Sequence, residues 1–220
     1  MASGDDGRDG EIPIPIQAVN ALMSALGYRD ITTAEHCRQV AELCVMTAER
    51  MMSPSECFVL EVAGLLHDIG KLGVPDSILL KPGTLSDEEW EVMRRYSRMG
   101  VAIISSAFGS EELTELVRNH RAWFDGNPRE AGLPRGKDIP LPARIGCIAD
   151  AFSAMVSDRP YRQTMSVASA FAELRRCAGT QFDPELVERF IARVNERGDG
   201  QRTASEVRER DSLDSVDVRG

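Results

Sequence analysis

The sequence has no long hydrophobic run and no excess of positive charge. No stretch approaches the roughly 20 consecutive apolar residues that a transmembrane helix needs, and the first residues, Met1 to Asp6, lack the charged and apolar regions of a signal peptide. The formal net charge is −9, whereas bulk electrostatic binding of DNA, RNA or a membrane surface requires a basic face. We therefore expect a cytoplasmic protein that binds no nucleic acid and no membrane. A few local cations could still hold a small phosphorylated ligand.

Cysteine and histidine are also scarce. The five cysteines are an odd number, form no Cys-x-x-Cys pair and lie in apolar stretches, so we expect reduced core residues. Cys37 directly follows His36 and could in principle bind a metal, but adjacent residues of a helix point about 100° apart. The three histidines, His36, His67 and His120, each lie in a stretch that predicts a helix. We expect them to converge on one pocket.

Hydrophobic residues recur with the period of a helix along most of the chain, which predicts an all-α fold, a compact multi-helix bundle with irregular loops. Ser53 to Glu56 and Ser86 to Glu89 have the Ser-x-x-Glu pattern of capping boxes at helix starts. Glycines and prolines after Asp68, and again over 125–142, predict loops. The predicted helices cover about residues 34–51 with Thr33 as the cap, 54–68, 87–107, 111–120, 143–156, 167–179 and 184–194.

The composition changes at both ends of the chain. Residues 1–12 and 197–220 are rich in charged and small residues and have few large apolar ones. Such segments bury too little surface to offset the entropy lost on ordering. We predict one domain over residues 13–196 between two disordered tails.

An apolar run ends abruptly in His67 and Asp68, with Lys71 three residues later. Burying an imidazole or a carboxylate alone beside leucine and isoleucine is costly, so such groups are normally paired or bound to a cation. Imidazole and carboxylate together suit zinc, iron or manganese. His36 and Asp150 lie on other predicted helices and provide two further ligand groups of the same kind.

These residues resemble the HD phosphohydrolase superfamily, in the order His36, His67-Asp68 and Asp150. Further segments are similar to its HD-GYP subfamily, namely Pro75 to Gly83, Ile139 to Ile145, Asp158 to Arg162 and Gly179 to Pro184. The resemblance implies a helical, metal-dependent phosphodiesterase whose typical substrate is cyclic di-GMP, a bacterial second messenger. It also implies that the relevant partner is a small phosphorylated ligand, most simply a cyclic dinucleotide. A signalling protein or a second copy of the chain is a further possible partner.

The resemblance assigns roles to individual residues. His36, His67, Asp68 and Asp150 match the ligands of the first metal, a divalent iron, manganese or zinc ion. The resemblance also implies that three basic side chains bind the substrate phosphate, namely Lys71, Arg159 and Arg162. Pairing with nearby carboxylates is the alternative role for these three.

The second metal site of the family is incomplete in this chain. Tyr96 stands in place of a ligand histidine, Asn119-His120-Arg121 replaces a His-His-Glu triplet, and Ser153 replaces an aspartate. A phenol with a pKa of about 10 and an amide oxygen are poor ligands for such ions. We therefore expect one bound ion and a second site that is weak or absent, with His120 and Asn119 as its possible remnant. The alternative for His120 is an ordinary helix-end histidine favoured by the helix dipole, and the alternative for Asn119 is packing or hydrogen bonding.

Three functions are compatible with these residues. The first is a phosphohydrolase in which Asp68 and Lys71 act at the catalytic centre and a metal-activated water attacks a phosphoester. The second is a regulatory module that keeps the fold but has lost turnover, because the departures cluster on the chemistry. The third is a one-metal nucleotidase.

Overall fold

The computed structural model describes residues 14–128, 130, 132–157 and 164–198. Over these residues the fold is all-helical and contains no β-strand, only an isolated bridge between Ala178 and Phe182. The all-α prediction is confirmed for this part of the chain. The predicted disordered tails lie outside the described residues, except that helix extends to residue 198. The helices are α1 (Ile16–Arg29), α2 (Ile31–Ala48), α3 (Pro54–Leu66), α4 (Asp76–Leu79), α5 (Asp87–Phe108), α6 (Glu111–Asn119), α7 (Leu141–Val156), α8 (Val167–Arg176) and α9 (184–198).

Side-chain caps set most of the helix starts. Both predicted capping boxes are present, with Ser53 accepting from the backbone of Glu56 and Ser86 from that of Glu89. The predicted start of α2 was wrong, because the helix begins at Ile31. Asp30 is its cap, accepting from the backbone nitrogen of Thr33 at 3.2 Å. Capping by a carboxylate three residues earlier leaves Thr33 inside the first turn.

Three further elements were not predicted. The first is α1, and the other two lie in the segment expected to be a loop: the 3₁₀ turn Ile69–Gly73 and the single-turn α4. The 3₁₀ turn lies against α5, where Gly70 approaches the backbone of Tyr96 and Gly100. Absence of a side chain at Gly70 permits this approach, which places Asp68 and Lys71 beside α5.

The buried side chains form two hydrophobic clusters that share α2. One cluster is built mainly from α2, α7, α8 and α9, and the other from α1, α2, α3, α5 and α6. The backbones of α2 and α3 are close, since a Cβ placed on Gly64 would lie 2.9 Å from the Cα of Ala41. This proximity brings the end of α3 next to α2. No helix among the described residues combines the length and the apolar content that a bilayer span requires.

Candidate metal centre

The three histidines meet between α2, α3 and α6. His36 lies on the second turn of α2, while His67 and His120 follow the last residues of α3 and α6. The ring centroid of His67 is 5.5 Å from that of His36 and 5.7 Å from that of His120. All three side chains are buried. The expected convergence on one pocket is therefore present, although the polypeptide separates these residues widely.

His36 contacts polar groups through both ring nitrogens. Its Nδ1 lies 2.8 Å from the hydroxyl of Ser153, and its Nε2 lies 2.9 Å from Oδ1 of Asp150 on α7. The Ser153 hydroxyl donates to Oε1 of Gln39 at 2.6 Å. Since that hydroxyl has only one proton, it accepts from Nδ1–H of His36, which leaves Nε2 without a proton in the neutral imidazole. Two lone pairs then face each other across the Nε2–Asp150 contact, an arrangement that suits a cation.

His67 has an unused nitrogen at the centre of the cluster. Its Nδ1 donates to the carbonyl of Gly64 at 2.8 Å, so the lone pair of the neutral ring is on Nε2. That atom is buried and has no hydrogen-bond partner. It lies 3.5 Å from Oδ2 of Asp68 and 3.9 Å from Oδ1 of Asp150. Two ligands of one tetrahedral zinc ion would be about 3.4 Å apart, given bonds of about 2.0–2.2 Å, so the spacing suits a shared metal.

The electrostatics of His67 and the carboxylates reflect the same crowding. Burial alone would lower the pKa of His67, but the carboxylate of Asp68 beside it raises this pKa well above the ordinary value. Burial opposes ionisation of Asp150, yet the adjacent imidazoles of His36 and His67 lower its pKa to about 2. Protein without a metal therefore holds a proton where a cation could bind, and a bound metal would displace that proton.

Asp68 is surrounded by donors from other residues. Burial opposes its charge, but the ammonium of Lys71, 2.5 Å from Oδ2, holds the pKa of Asp68 well below its usual range. Burial and the nearby Asp68 raise the pKa of Tyr96, whose hydroxyl hydrogen-bonds to this carboxylate. Lys71 also lies 5.6 Å from the centroid of the Tyr96 ring. Tyr96 therefore stays a neutral phenol, and Lys71 is already paired.

His120 is close to the centre but faces fewer charges. Its Nδ1 lies 2.6 Å from the carbonyl of Val117, and its Nε2 is buried without a partner. Burial lowers the pKa of His120 to about 4, so the ring is neutral near pH 7. Asn119 is buried beside it. Within the described part of the chain, His120 belongs to no group of three or more convergent histidine, cysteine or carboxylate ligand atoms.

The expected ligands fall into two overlapping groups. The ligand atoms of His36, His67 and Asp150 all lie within 4.8 Å of one another, and so do those of Cys37, His67 and Asp68. The four expected ligands are thus adjacent, although among the described residues they do not form one mutually close quartet. Arg159 and Arg162, the other expected phosphate-binding residues, lie outside the described residues.

A large cavity opens beside this centre. Its volume is about 1270 Å³, and His36, Asp150, His120 and Lys71 contribute to its wall. Sequence reasoning missed Gln39, which orders Ser153 and also accepts from the hydroxyl of Ser157 at 2.8 Å. Its position one helical turn after His36 was the available signal. Further lining residues include Arg38, Lys81, Trp90, Trp123, Asn127 and Gln181.

Comparison with known proteins finds relatives that align with most of this chain. A cyclic di-GMP phosphodiesterase of Thermotoga maritima is 41% identical over 172 residues, which cover 74% of this chain and 45% of that protein. A 3'3'-cGAMP-specific phosphodiesterase 2 of Vibrio cholerae is 33% identical over 183 residues, covering 82% of this chain and 35% of that protein. This chain thus spans less than half the length of either relative.

A solved structure shares the fold at lower sequence identity. An HDG"Y"P protein from Bdellovibrio bacteriovorus aligns with a TM-score of 0.60 at 17% identity, over 80% of this chain and 60% of that one. The helical architecture brings histidines and aspartates together in an arrangement that could hold a metal ion. Residues 21–186 match the family model of the HD domain. The chain belongs to the HD domain family, which implies metal ions.

Proposed function

We propose that this domain is a metal-dependent phosphodiesterase that hydrolyses a cyclic dinucleotide. The observation that carries the proposal is the partnerless Nε2 of buried His67, which lies 3.5 and 3.9 Å from carboxylate oxygens of Asp68 and Asp150. Relatives that align with most of this chain are phosphodiesterases of cyclic di-GMP and cGAMP. A phosphoester can reach this centre through the cavity that His36 and Asp150 line.

The proposed ligands of the ion are His36, His67, Asp68 and Asp150. A bound divalent iron, manganese or zinc ion lowers the pKa of a coordinated water to about 7 and polarises a phosphoryl oxygen. The hydroxyl of Ser153 holds His36 in the tautomer that presents Nε2 to Asp150, and the Gly64 carbonyl does the same for His67. Both histidines are thereby oriented before any metal binds, which lowers the cost of binding.

Lys71 has two roles in this proposal. Its ammonium neutralises part of the charge of Asp68, and it is also one of the cations in the wall of the cavity. A compact cation there would stabilise charge that develops on the phosphoryl oxygens. We assign Arg159 and Arg162 to phosphate binding from the family resemblance alone. A guanidinium group suits bidentate contact with phosphate.

One ion is expected to be bound, and a second weakly or not at all. Tyr96 donates a hydrogen bond to Asp68 instead of offering a ligand atom, as the raised pKa of the phenol implies. Asn119 and His120 are buried, and among the described residues His120 is in neither group of convergent histidine, cysteine and carboxylate ligand atoms. Loss of the second ion weakens the clamp on attacking and leaving oxygens, so we expect slow turnover relative to two-metal enzymes.

The test combines metal analysis with a turnover screen. Protein purified without chelator should contain about one transition-metal ion per chain and hydrolyse cyclic di-GMP or cGAMP. Both properties should be lost in Asp68→Ala and Asp150→Asn. Glu35→Gln is the matched control, because Glu35 is an exposed acid of the same cavity wall and is outside the two ligand groups. Turnover that survives Asp68→Ala would refute the proposal.

A regulatory module is the second candidate, favoured by the hydrogen bonds of Asp68. Lys71 and Tyr96 occupy this carboxylate, which the family resemblance suggests could bridge to a second metal. Such a module would bind metal and cyclic dinucleotide and hydrolyse neither cyclic di-GMP nor cGAMP. A mononucleotide panel in the same screen separates the third candidate, a one-metal nucleotidase. Cytoplasmic location and a signalling-protein partner or homodimer stay predictions.

A further inference from the structure

We propose that Cys37 is a ligand of the metal at His67, which makes this centre a mixed sulfur, nitrogen and oxygen site. The inference rests on the proposed metal site and adds a residue to it. Cys37 Sγ, a ring nitrogen of His67 and a carboxylate oxygen of Asp68 all lie within 4.8 Å of one another. Cys37 is 0% exposed and Asp68 is 3% exposed.

The direction of His67 supports the assignment. Its Nδ1 is committed to the Gly64 carbonyl, so Nε2 is the nitrogen available to a metal. Nε2 is buried and has no nitrogen or oxygen hydrogen-bond partner, and the side chain is 6% exposed. A buried imidazole nitrogen without a partner is costly unless something binds to it. Cys37 and Asp68 form one group of close ligand atoms with His67, and His36 and Asp150 form the other.

Helix geometry explains how adjacent residues can serve the same site. Side chains of consecutive helical residues point about 100° apart, which argued against Cys37 in the sequence. In the structure, His36 contacts Asp150 on α7, whereas Cys37 packs in the hydrophobic cluster that includes α3. His67, at the end of α3, is close to both. The 100° angle between the side chains therefore places His36 and Cys37 in different ligand groups, each of which includes His67. It does not exclude Cys37 as a metal ligand.

A thiolate ligand changes which metal the site prefers. The thiol releases its proton to solvent when the metal–sulfur bond forms. Thiolate is a soft ligand that favours zinc, whereas oxygen ligands suit manganese. We therefore expect this chain to discriminate against manganese more strongly than a site of histidines and carboxylates alone. Replacing Cys37 with serine should lower the affinity ratio of zinc to manganese by more than about tenfold, the lower bound for losing even an outer-shell partner.

Cobalt(II) provides a readout that does not depend on activity. The metal-free full chain is titrated with cobalt, and the near-ultraviolet thiolate-to-cobalt charge-transfer band is recorded. We expect the band in wild type and its loss in Cys37→Ser with cobalt still bound. Cys44→Ser is the matched control, since Cys44 is equally buried on α2 but outside both ligand groups. Persistence of the band in Cys37→Ser, or its loss in Cys44→Ser alone, overturns the proposal.

X-ray absorption on the wild-type zinc protein tests the same point without a substitution, in case Cys37→Ser does not fold. A zinc–sulfur shell near about 2.3 Å is distinct from nitrogen and oxygen shells near about 2.0–2.2 Å. One sulfur shell is the expected result. Stoichiometric metal without a sulfur shell or charge-transfer band overturns the role of Cys37 and leaves the proposed metal site intact. Absence of bound metal overturns both.

Discussion

Gly70 is the position where a single added methyl group should do most damage to the site. It lies in the 3₁₀ turn between Asp68 and Lys71 and packs against α5. A Cβ placed on Gly70 would lie 1.9 Å from the carbonyl oxygen of Tyr96 and 2.5 Å from the backbone nitrogen of Gly100. Both obstacles are backbone atoms, so no side-chain rotation can relieve the overlap. The turn would have to move away from the helix.

The expected cost of Gly70→Ala follows from this overlap. Overpacking a core typically costs about 1–3 kcal/mol, and more when the backbone must shift. Because backbone lies on both sides of this contact, we expect a loss of at least about 3 kcal/mol, a large part of the roughly 5–15 kcal/mol of a typical domain. Displacing the turn also moves Asp68 and Lys71. Metal affinity should therefore fall in any Gly70→Ala protein that still folds.

Gly100→Ala is the matched control, because it adds a methyl group to the opposite side of the same contact. Its Cβ would lie 3.4 Å from the nitrogen of Gly70, at ordinary contact distance. Gly100 is inside α5, where alanine is favoured over glycine by up to about 1 kcal/mol. Denaturant unfolding at unchanged m-value measures both variants. A Gly70→Ala protein within about 1 kcal/mol of wild type would refute this reasoning.

Three further predictions concern the metal centre. In the folded, metal-free protein the pKa of His120 is about 4, below the ordinary value of about 6.5. The stability that the neutral His120 ring contributes is therefore present above pH 6.5 and is lost as the pH falls towards 4. Lowering the pH from 7 to 5 should therefore reduce the free energy of unfolding of wild type by about 2 kcal/mol more than that of His120→Gln. Equal reductions in the two proteins contradict this. Tyr96→His with Asn119→His should raise bound metal from one ion towards two by elemental analysis, and an unchanged count contradicts the assignment. Ser153→Ala should weaken metal binding by about 10–100-fold in calorimetry. Ser157→Ala is the control, because Ser157 also donates to Gln39, and it should leave metal affinity unchanged. Equal effects of the two substitutions contradict the tautomer argument.

The helices were predictable to the extent that local chemistry determines them. Ser53 and Ser86 cap helices because their partners are three residues away in the sequence. The start of α2 was misplaced because Asp30 and Thr33 are both residues that cap helices well, and the sequence does not show which one is used. The 3₁₀ turn after Asp68 depends on contact with α5, so neither periodicity nor glycine content indicates it.

The sequence suggested members for the candidate site but could not indicate their arrangement. Family resemblance identified His36, His67, Asp68 and Asp150, and the structure brings their ligand atoms close together. It also divides them into two groups that share His67, a division that depends on how α2 faces α3 and α7. The sequence argument against Cys37 used helical geometry alone. That argument takes no account of where the neighbouring helices lie.

The hydrogen bonds of Asp68 give a further reason to expect weak binding of a second metal, in addition to the replaced ligands. A carboxylate that bridges two ions through both of its oxygens offers one oxygen to each. Here Oδ2 receives the ammonium of Lys71 at 2.5 Å, and Tyr96 hydrogen-bonds to the same group. A histidine at position 96 would remove the competing phenol as well as supply a nitrogen ligand. Tyr96→Phe separates the two effects, because it removes the phenol without adding a ligand. If competition by the phenol matters, Tyr96→Phe should recover part of the second-metal affinity gained by Tyr96→His; if only the missing nitrogen matters, Tyr96→Phe should match wild type.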